Sequence, residues 1–534
     1  MIILGLSMYP KEINVVKKDW RTVSVRFGLC YPSFYRVGMS CLAVHLLYEI
    51  LNSRGDVACE RIFLEPDSSL LSVESRQPLS KFDVLGFSLQ YELDYVNLAR
   101  MLLNSGIPPM ASERGDGHPI LIAGGPAVTA NPEPIAPIVD AVVIGEVEPI
   151  IDDLISAFQC GGRERVLEEL ADIKGVYVPK FSKPVRRVWA SSLDEAPHAI
   201  SQVIPQVSAD SPFSPIFGRA FLLEVTRGCR WGCRFCLEGY NYLPMRERSI
   251  EVIEGILSEG LRRTFTDKVV VIGSAAFDHS RFENLCELIV SSGLNISVPS
   301  MRASALTERL AALLVKGGQK TITFAPETGS DHLRRVVCKK LSTEEILDAA
   351  KIALNCGFKH VKLYFMIGLP GESLDDVESI VGLAKRIADL GFSARKSVRL
   401  TVSPFIPKAH TPFQWFGLES LDSLRSKVKL LRKLAARDPR IELRFMRIRE
   451  AVIQAFLSTS GREAAPIIVR VAELGGSLAA WRRAEKELGV SIEEVALASK
   501  ELDRPLPWDH IDVGVTRDFL LKRYCSAKDV ADVR

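Results

Sequence analysis

TRGCRWGCRFC, residues 226–236, sets cysteines at positions 229, 233 and 236 inside an otherwise globular-looking chain. A structural zinc ion takes four protein ligands, and no fourth Cys or His follows at short spacing to close its tetrahedron. A cubane of four irons normally takes one thiolate per iron, so three thiolates leave one iron open to a ligand that is not protein. Three buried structural cysteines are the other reading, but a loop rich in Gly, Arg and Trp makes a poor core. Cys229, Cys233 and Cys236 are therefore expected to ligate a 4Fe-4S cluster.

The run before this loop opens a regular rhythm. Strands are expected at 220–226, 268–274, 296–302, 321–327, 360–370 and 397–404, separated by helical patterns. Ser342 with Glu345 reads as a capping box, and Ser373 starts the helical run LDDVESIVGLAKRIADLG. Six βα units predict a partial (β/α) barrel, whose chemistry sits at the carboxyl ends of its strands. The cysteines follow the first strand, on that edge.

Upstream the same alternation holds. TVSVRFGLCY (22–31), FDVLGFSLQ (82–90), PILIAGGP (119–126) and AVVIGE (141–146) read as buried strands, each followed by a helical pattern. A parallel, doubly wound, Rossmann-like sheet follows, with the loops at 31–38, 88–90, 124–129 and 145–148 on one edge. Gly124 and Gly125 allow close backbone approach there. No GxGxxG follows the first strand, so the fingerprint of NAD or FAD is missing. The expected organisation is an N-terminal domain at 1–185, a Pro-bearing linker at 186–217, the barrel at 218–438 and a small α/β or helical C-terminal region at 439–534.

The chain has 534 residues, 47% hydrophobic and 25% charged, which excludes extensive disorder. Its 68 basic and 65 acidic residues leave a net charge of +3, so nothing global points to nucleic acid or an anionic membrane. Eleven scattered cysteines are no disulfide framework. The start has an apolar run without a basic region ahead of it, and no later apolar run reaches about 18 residues, so no membrane segment and a cytoplasmic location are expected.

The CxxxCxxC spacing with Phe235 before the last cysteine, in a six-strand βα setting, resembles the radical S-adenosylmethionine (SAM) enzymes. In that family the amino and carboxylate groups of SAM chelate the open iron, and one electron cleaves the sulfonium to a 5′-deoxyadenosyl radical. The resemblance implies a single-electron donor such as a flavodoxin or ferredoxin. GSAAF (273–277), PSMR (299–302), APETGS (325–330) and FMIGLPGE (365–372) follow successive strands. By likeness, Phe235, Ser274, Arg302, Glu327, Ile367, Gly368 and Pro370 would contact SAM.

YPSFYRVGMSCLAVHLLYEILN, AGGPAVTANPEP and VDAVVIGEVEP resemble the cobalamin-binding domain that precedes the barrel in a large radical SAM subclass. The resemblance implies cobalamin contacts from Ser88, Leu89, Gln90, Gly124, Gly125, Pro126, Gly145, Glu146 and Glu148. No DxHxxG occurs, which implies cobalamin without a protein imidazole below the cobalt, and Val147 stands where a GEGE-like turn has its second glycine. A degenerate domain kept for packing is the alternative.

Nearly the whole length resembles fused cobalamin-binding and radical SAM proteins of bacteria and archaea, a likeness that supplies an architecture and no substrate. The leading expectation is a methyltransferase acting on an unactivated carbon of an unidentified substrate. No hydrolase-type nucleophile signature competes with it. Cobalamin-assisted rearrangement or cyclisation would use the same two sites. An iron–sulfur protein that binds RNA or a ribosome through LRSKVKLLRKLAARDPR and RFMRIRE is the reading of another class, but interleaved acids make those runs solvated helix faces. Lys408, His410, Trp415, Trp508, Asp509, His510 and Asp512 could line a substrate mouth or tie the domains together.

Overall fold

The computed structural model describes residues 9–65 and 70–532; the apolar run at the start of the chain lies outside them. The N-terminal sheet contains β1 (Val25–Tyr31), β2 (Val57–Phe63), β3 (Val84–Ser88), β4 (Ile120–Gly124), β5 (Ala141–Val143) and β6 (Val176–Tyr177). Their spatial order is β2-β1-β3-β4-β5-β6, parallel except for the last strand. The order reverses between β1 and β3, which opens a crevice at their carboxyl ends. Apolar side chains fill both faces, one against the helices Leu42–Ser53 and Ile151–Phe158, the other against Asp94–Asn104.

Strand β2 escapes the sequence pattern because VACERIF carries Glu60 and Arg61 at its centre, yet all seven of its residues are buried. The Arg61 guanidinium, 1% exposed, is held by Glu12 at 2.7 Å and Glu74 at 2.7 Å. Glu60 accepts from the Trp20 indole at 2.8 Å and from the Ser75 hydroxyl at 2.7 Å. Paired in this way, charge can sit inside a sheet that would otherwise exclude it.

The barrel strands are β7 (Phe221–Arg227), β8 (Lys268–Gly273), β9 (Asn295–Ser297), β10 (Thr321–Glu327), β11 (His360–Ile367) and β12 (Val398–Pro404). The first three are parallel neighbours, as are the last three, and a parallel bridge from Met301 to Phe324 joins the two groups. Strand β13 (Ile441–Phe445) pairs in parallel with β12 and extends the sheet past the six expected strands. The expected capping box forms between Ser342 and Glu345, and Ser373, expected only as a helix start, closes a second one with Asp376.

Residues 186–217, expected as a linker, have little regular structure but are tied to distant segments. Ile204–Pro205 pairs with Glu12–Ile13, and next to the expected linker Val185–Arg186 pairs with Ile511–Asp512. The C-terminal helices fold back, Ala465–Glu473 packing on Asp94–Asn104 and Arg517–Asp532 lying beside Asp331–Val336. No described helix is long and apolar enough to cross a membrane.

Candidate functional site

The cysteine loop leaves β7 through Gly228, whose φ of 79° and 2.3 Å gap between an added Cβ and the Tyr242 carbonyl admit only glycine. Cys233 is buried and Cys229 and Cys236 are half-buried. Burial pushes the Cys233 thiol up to about 11 and the Cys236 thiol to about 12, with the neighbouring thiols adding to the shift. Among the described residues no three His, Cys, Asp or Glu side chains converge on a single-ion site. The Gly232 carbonyl, at the centre of the loop, accepts from Tyr240 at 3.0 Å and from Arg523 at 2.6 Å. Arg234 donates to the Val336 carbonyl at 2.6 Å and to Ser526 at 2.9 Å, so the last helix fastens the loop.

Around this loop stand the side chains after the next strands. Arg302 lies over the Trp231 ring with its guanidinium carbon 3.6 Å from the ring centre. Glu327 accepts from Lys339 at 3.1 Å and has a φ of 68°, reached where the β10–β11 register shifts. Such strain persists where the surroundings hold it, and is common at functional sites. The electrostatic environment of Cys233 includes Lys339, Glu327 and Arg302, so all three stand near the cysteine loop. Phe235 packs in one apolar group with Leu369, Phe405 and Phe413, next to the turn at 367–370. Gly368 donates its N–H to Glu372 at 2.6 Å, while the Ile367 side chain is fully buried and leaves only backbone for a ligand. Pro370 is half-buried in the same turn.

A cavity of about 580 Å³ lies between the two strand-end surfaces. From the N-terminal domain it is lined by Ser88, Gln90, Gly124, Gly125, Pro126, Gly145, Glu146 and Glu148, and from the barrel by Thr226, Arg227, Gly228, Glu238, Tyr242 and Ser274. It continues as an apolar slot between the sheet and the helices Leu42–Ser53 and Ile151–Phe158, and no histidine occurs among the described residues that line it. Leu89 lies beneath this surface, fully buried.

The glycines divide by role. An added Cβ at Gly125 would stand 2.4 Å from the Leu89 carbonyl, and one at Gly145 would stand 2.0 Å from the Val188 carbonyl, so both serve backbone packing within the protein. At Gly124 it would meet only Val143 at 3.8 Å, so this glycine opens onto the cavity.

Charge concentrates at the seam. Arg227, directly before the cysteine loop, binds Glu146 at 2.8 Å, Glu148 at 2.7 Å and Glu224 at 2.8 Å, and Arg246 binds Glu146 at 2.6 Å. Burial raises the Glu146 carboxyl, but Arg246 and Arg227 outweigh it and hold the group below the usual carboxylate range. Glu238, which sequence reasoning missed, accepts from Ser274 on the cavity wall, and burial pushes its carboxyl up. Its partner lies 36 residues away, so no local signal marks it.

The aromatic and polar group near the C-terminus serves as a tie between domains. Trp415 and Trp508 are fully buried, Trp508 donating to Gln414 at 2.8 Å. Lys408 pairs with Glu92 of the N-terminal domain, and His510 packs on Tyr177.

Two family models match the chain: radical SAM proteins, N-terminal, over residues 43–179, and the radical SAM superfamily, over residues 223–384. An uncharacterised protein of Methanocaldococcus jannaschii is 31% identical over 81% of this chain and 88% of its own length. An uncharacterised methyltransferase of Pyrococcus horikoshii is 28% identical over 50% of this chain and 58% of its own. The structure of the radical SAM methyltransferase TsrM from Kitasatospora setae, with cobalamin and a 4Fe-4S cluster bound, matches at a TM-score of 0.51 and 14% identity. It covers 88% of this chain and 100% of that one, a likeness of fold.

Proposed function

This chain belongs to the radical SAM superfamily and is a radical SAM enzyme, and from that premise we propose that it is a cobalamin-dependent methyltransferase acting on an unactivated carbon. The observation that carries the reading is the single cavity bounded by the strand ends of both domains, with the cysteine loop starting at its edge. Two cofactors that share one substrate must face one space.

The residues fit both groups. Three thiols on one loop suit a cubane with one open iron. The open face at Gly124 and the apolar slot beneath it suit a large apolar-edged ligand. When bound, SAM on the cluster supplies a radical able to take hydrogen from carbon, and cobalamin supplies a site for carrying a methyl group.

The chain's own contribution is binding and orientation. Arg302 would meet the SAM carboxylate, Glu327 would accept from its ribose or amino group, and the turn at 367–370 with Phe235 would take the adenine. Reductive cleavage of SAM would draw its electron from a single-electron donor such as a flavodoxin or ferredoxin.

Anaerobic reconstitution with iron, sulfide and cobalamin, followed by metal analysis, tests the reading. Close to four irons and one cobalt per chain are expected. Protein that takes up iron and never retains cobalt would reduce the N-terminal domain to a packing role and remove the methyl-transfer proposal.

A further inference from the structure

Trp231 stands between the first two cysteines, where the sequence pattern assigns it no part. Its indole N–H donates to the Asp278 carboxylate, in the turn after β8, and Arg230 approaches the same carboxylate at 3.8 Å. The ring is thus pinned by its edge and presents a face. Arg302, from the segment after β9, lies on that face at 3.6 Å.

A guanidinium stacks on an indole because its planes are weakly hydrated while its donors stay available around the rim. Of the Arg302 nitrogens, Nη2 donates to the Lys340 carbonyl. Nε and Nη1 are buried and reach no acceptor among the described residues. Buried donors on a charged group are rarely left unpaired in native proteins, so these two point to an anionic ligand. Among the described residues no carboxylate pairs with Arg302, and the nearby Glu327 is engaged by Lys339 at 3.1 Å.

We infer that Trp231 is a positioning residue that holds the Arg302 guanidinium flat, so that its unpaired donors meet the carboxylate of SAM. Because Trp231 belongs to the cysteine loop, capture of that carboxylate then depends on the loop being correctly folded. The inference rests on SAM binding at this site as set out above.

The test compares SAM with decarboxylated SAM, which keeps the adenosine, sulfonium and amine but has no carboxylate. Binding is measured by equilibrium dialysis on anaerobically reconstituted protein, with iron content determined for every variant. Wild type should prefer SAM. Trp231→Ala should weaken SAM by about tenfold and leave decarboxylated SAM nearly unchanged, the loss expected for a displaced charge-assisted contact. Arg302→Ala should show the same selective loss, and the double variant should lose little more, because the two side chains act as one unit. Arg302→Lys should not restore the preference, since an ammonium cannot lie flat on the ring.

If Trp231→Ala fails to hold iron, Asp278→Ala carries the test, because it unpins the indole and leaves every loop residue in place. Variants that retain the wild-type preference for SAM, or that lose both ligands equally, overturn the inference and make Trp231 a packing residue. Wild-type protein that holds iron but binds neither ligand overturns the SAM site itself and the inference with it.

Discussion

Cys229, Cys233 and Cys236 share a loop with Gly232, whose carbonyl is bonded to Arg523, and Arg523 also reaches the sulfur of Cys338 at 3.4 Å. Cys338 is thus a thiol beside the loop but outside the motif, and it provides the sharpest control. Replacing any motif cysteine with Ala should abolish cluster iron, since two thiolates hold a cubane poorly, whereas Cys338→Ser should leave the iron content unchanged. Iron lost from the Cys338 variant would mean a fourth protein ligand and no open iron for SAM. Gly124→Val should fill the cavity wall and lower cobalt retention at least tenfold while iron stays, because the added side chain meets almost nothing of the protein itself. Gly125→Val should instead destabilise the whole domain through the Leu89 carbonyl, which makes it unsuitable as a cobalamin probe. The motif cysteines were legible because their spacing is local. Trp231, Glu238 and Lys339 were not, because each gains its role from a partner brought up by the fold.

At the scale of elements, hydrophobic period located the barrel strands and most of the N-terminal sheet, since both are built of buried parallel strands. It failed at Val57–Phe63, where two adjacent charges interrupt the apolar run. The partners that neutralise them, Glu12, Trp20, Glu74 and Ser75, lie before and after the strand and cannot be paired with it from pattern alone. Removing one partner of the fully buried Arg61 should be severe. Glu74→Ala should lower unfolding stability by about 3–5 kcal/mol, read from denaturant midpoints. A loss below about 1 kcal/mol would mean that Glu12 alone neutralises the guanidinium.

For the whole molecule, the decisive feature is the seam where Arg227 gathers Glu146, Glu148 and Glu224. This arrangement ties the turn after β5 to the strand that launches the cysteine loop. The family resemblance assigned Glu146 and Glu148 to cobalamin, but their engagement by Arg227 and Arg246 depends on how the two domains meet and was not legible in the sequence. Glu146 and Glu224 both have carboxyls held below their ordinary range. Their contribution to stability is therefore present above the unfolded value, about 4.3, and lost as pH falls through the lower folded values. The thermal midpoint should drop on acidification below about pH 4, and Glu146→Gln should lower it at neutral pH and flatten the acid limb.

The claim that both cofactors serve one reaction is tested most directly by the SAM products of the reconstituted protein under a strong one-electron reductant, measured by mass spectrometry against the cobalt and iron actually bound. The account predicts S-adenosylhomocysteine in an amount matching bound cobalamin even without the substrate, together with 5′-deoxyadenosine that requires all three motif cysteines. Cobalamin-loaded protein that releases 5′-deoxyadenosine but no S-adenosylhomocysteine would contradict methyl transfer and leave a radical enzyme of the rearranging or cyclising kind.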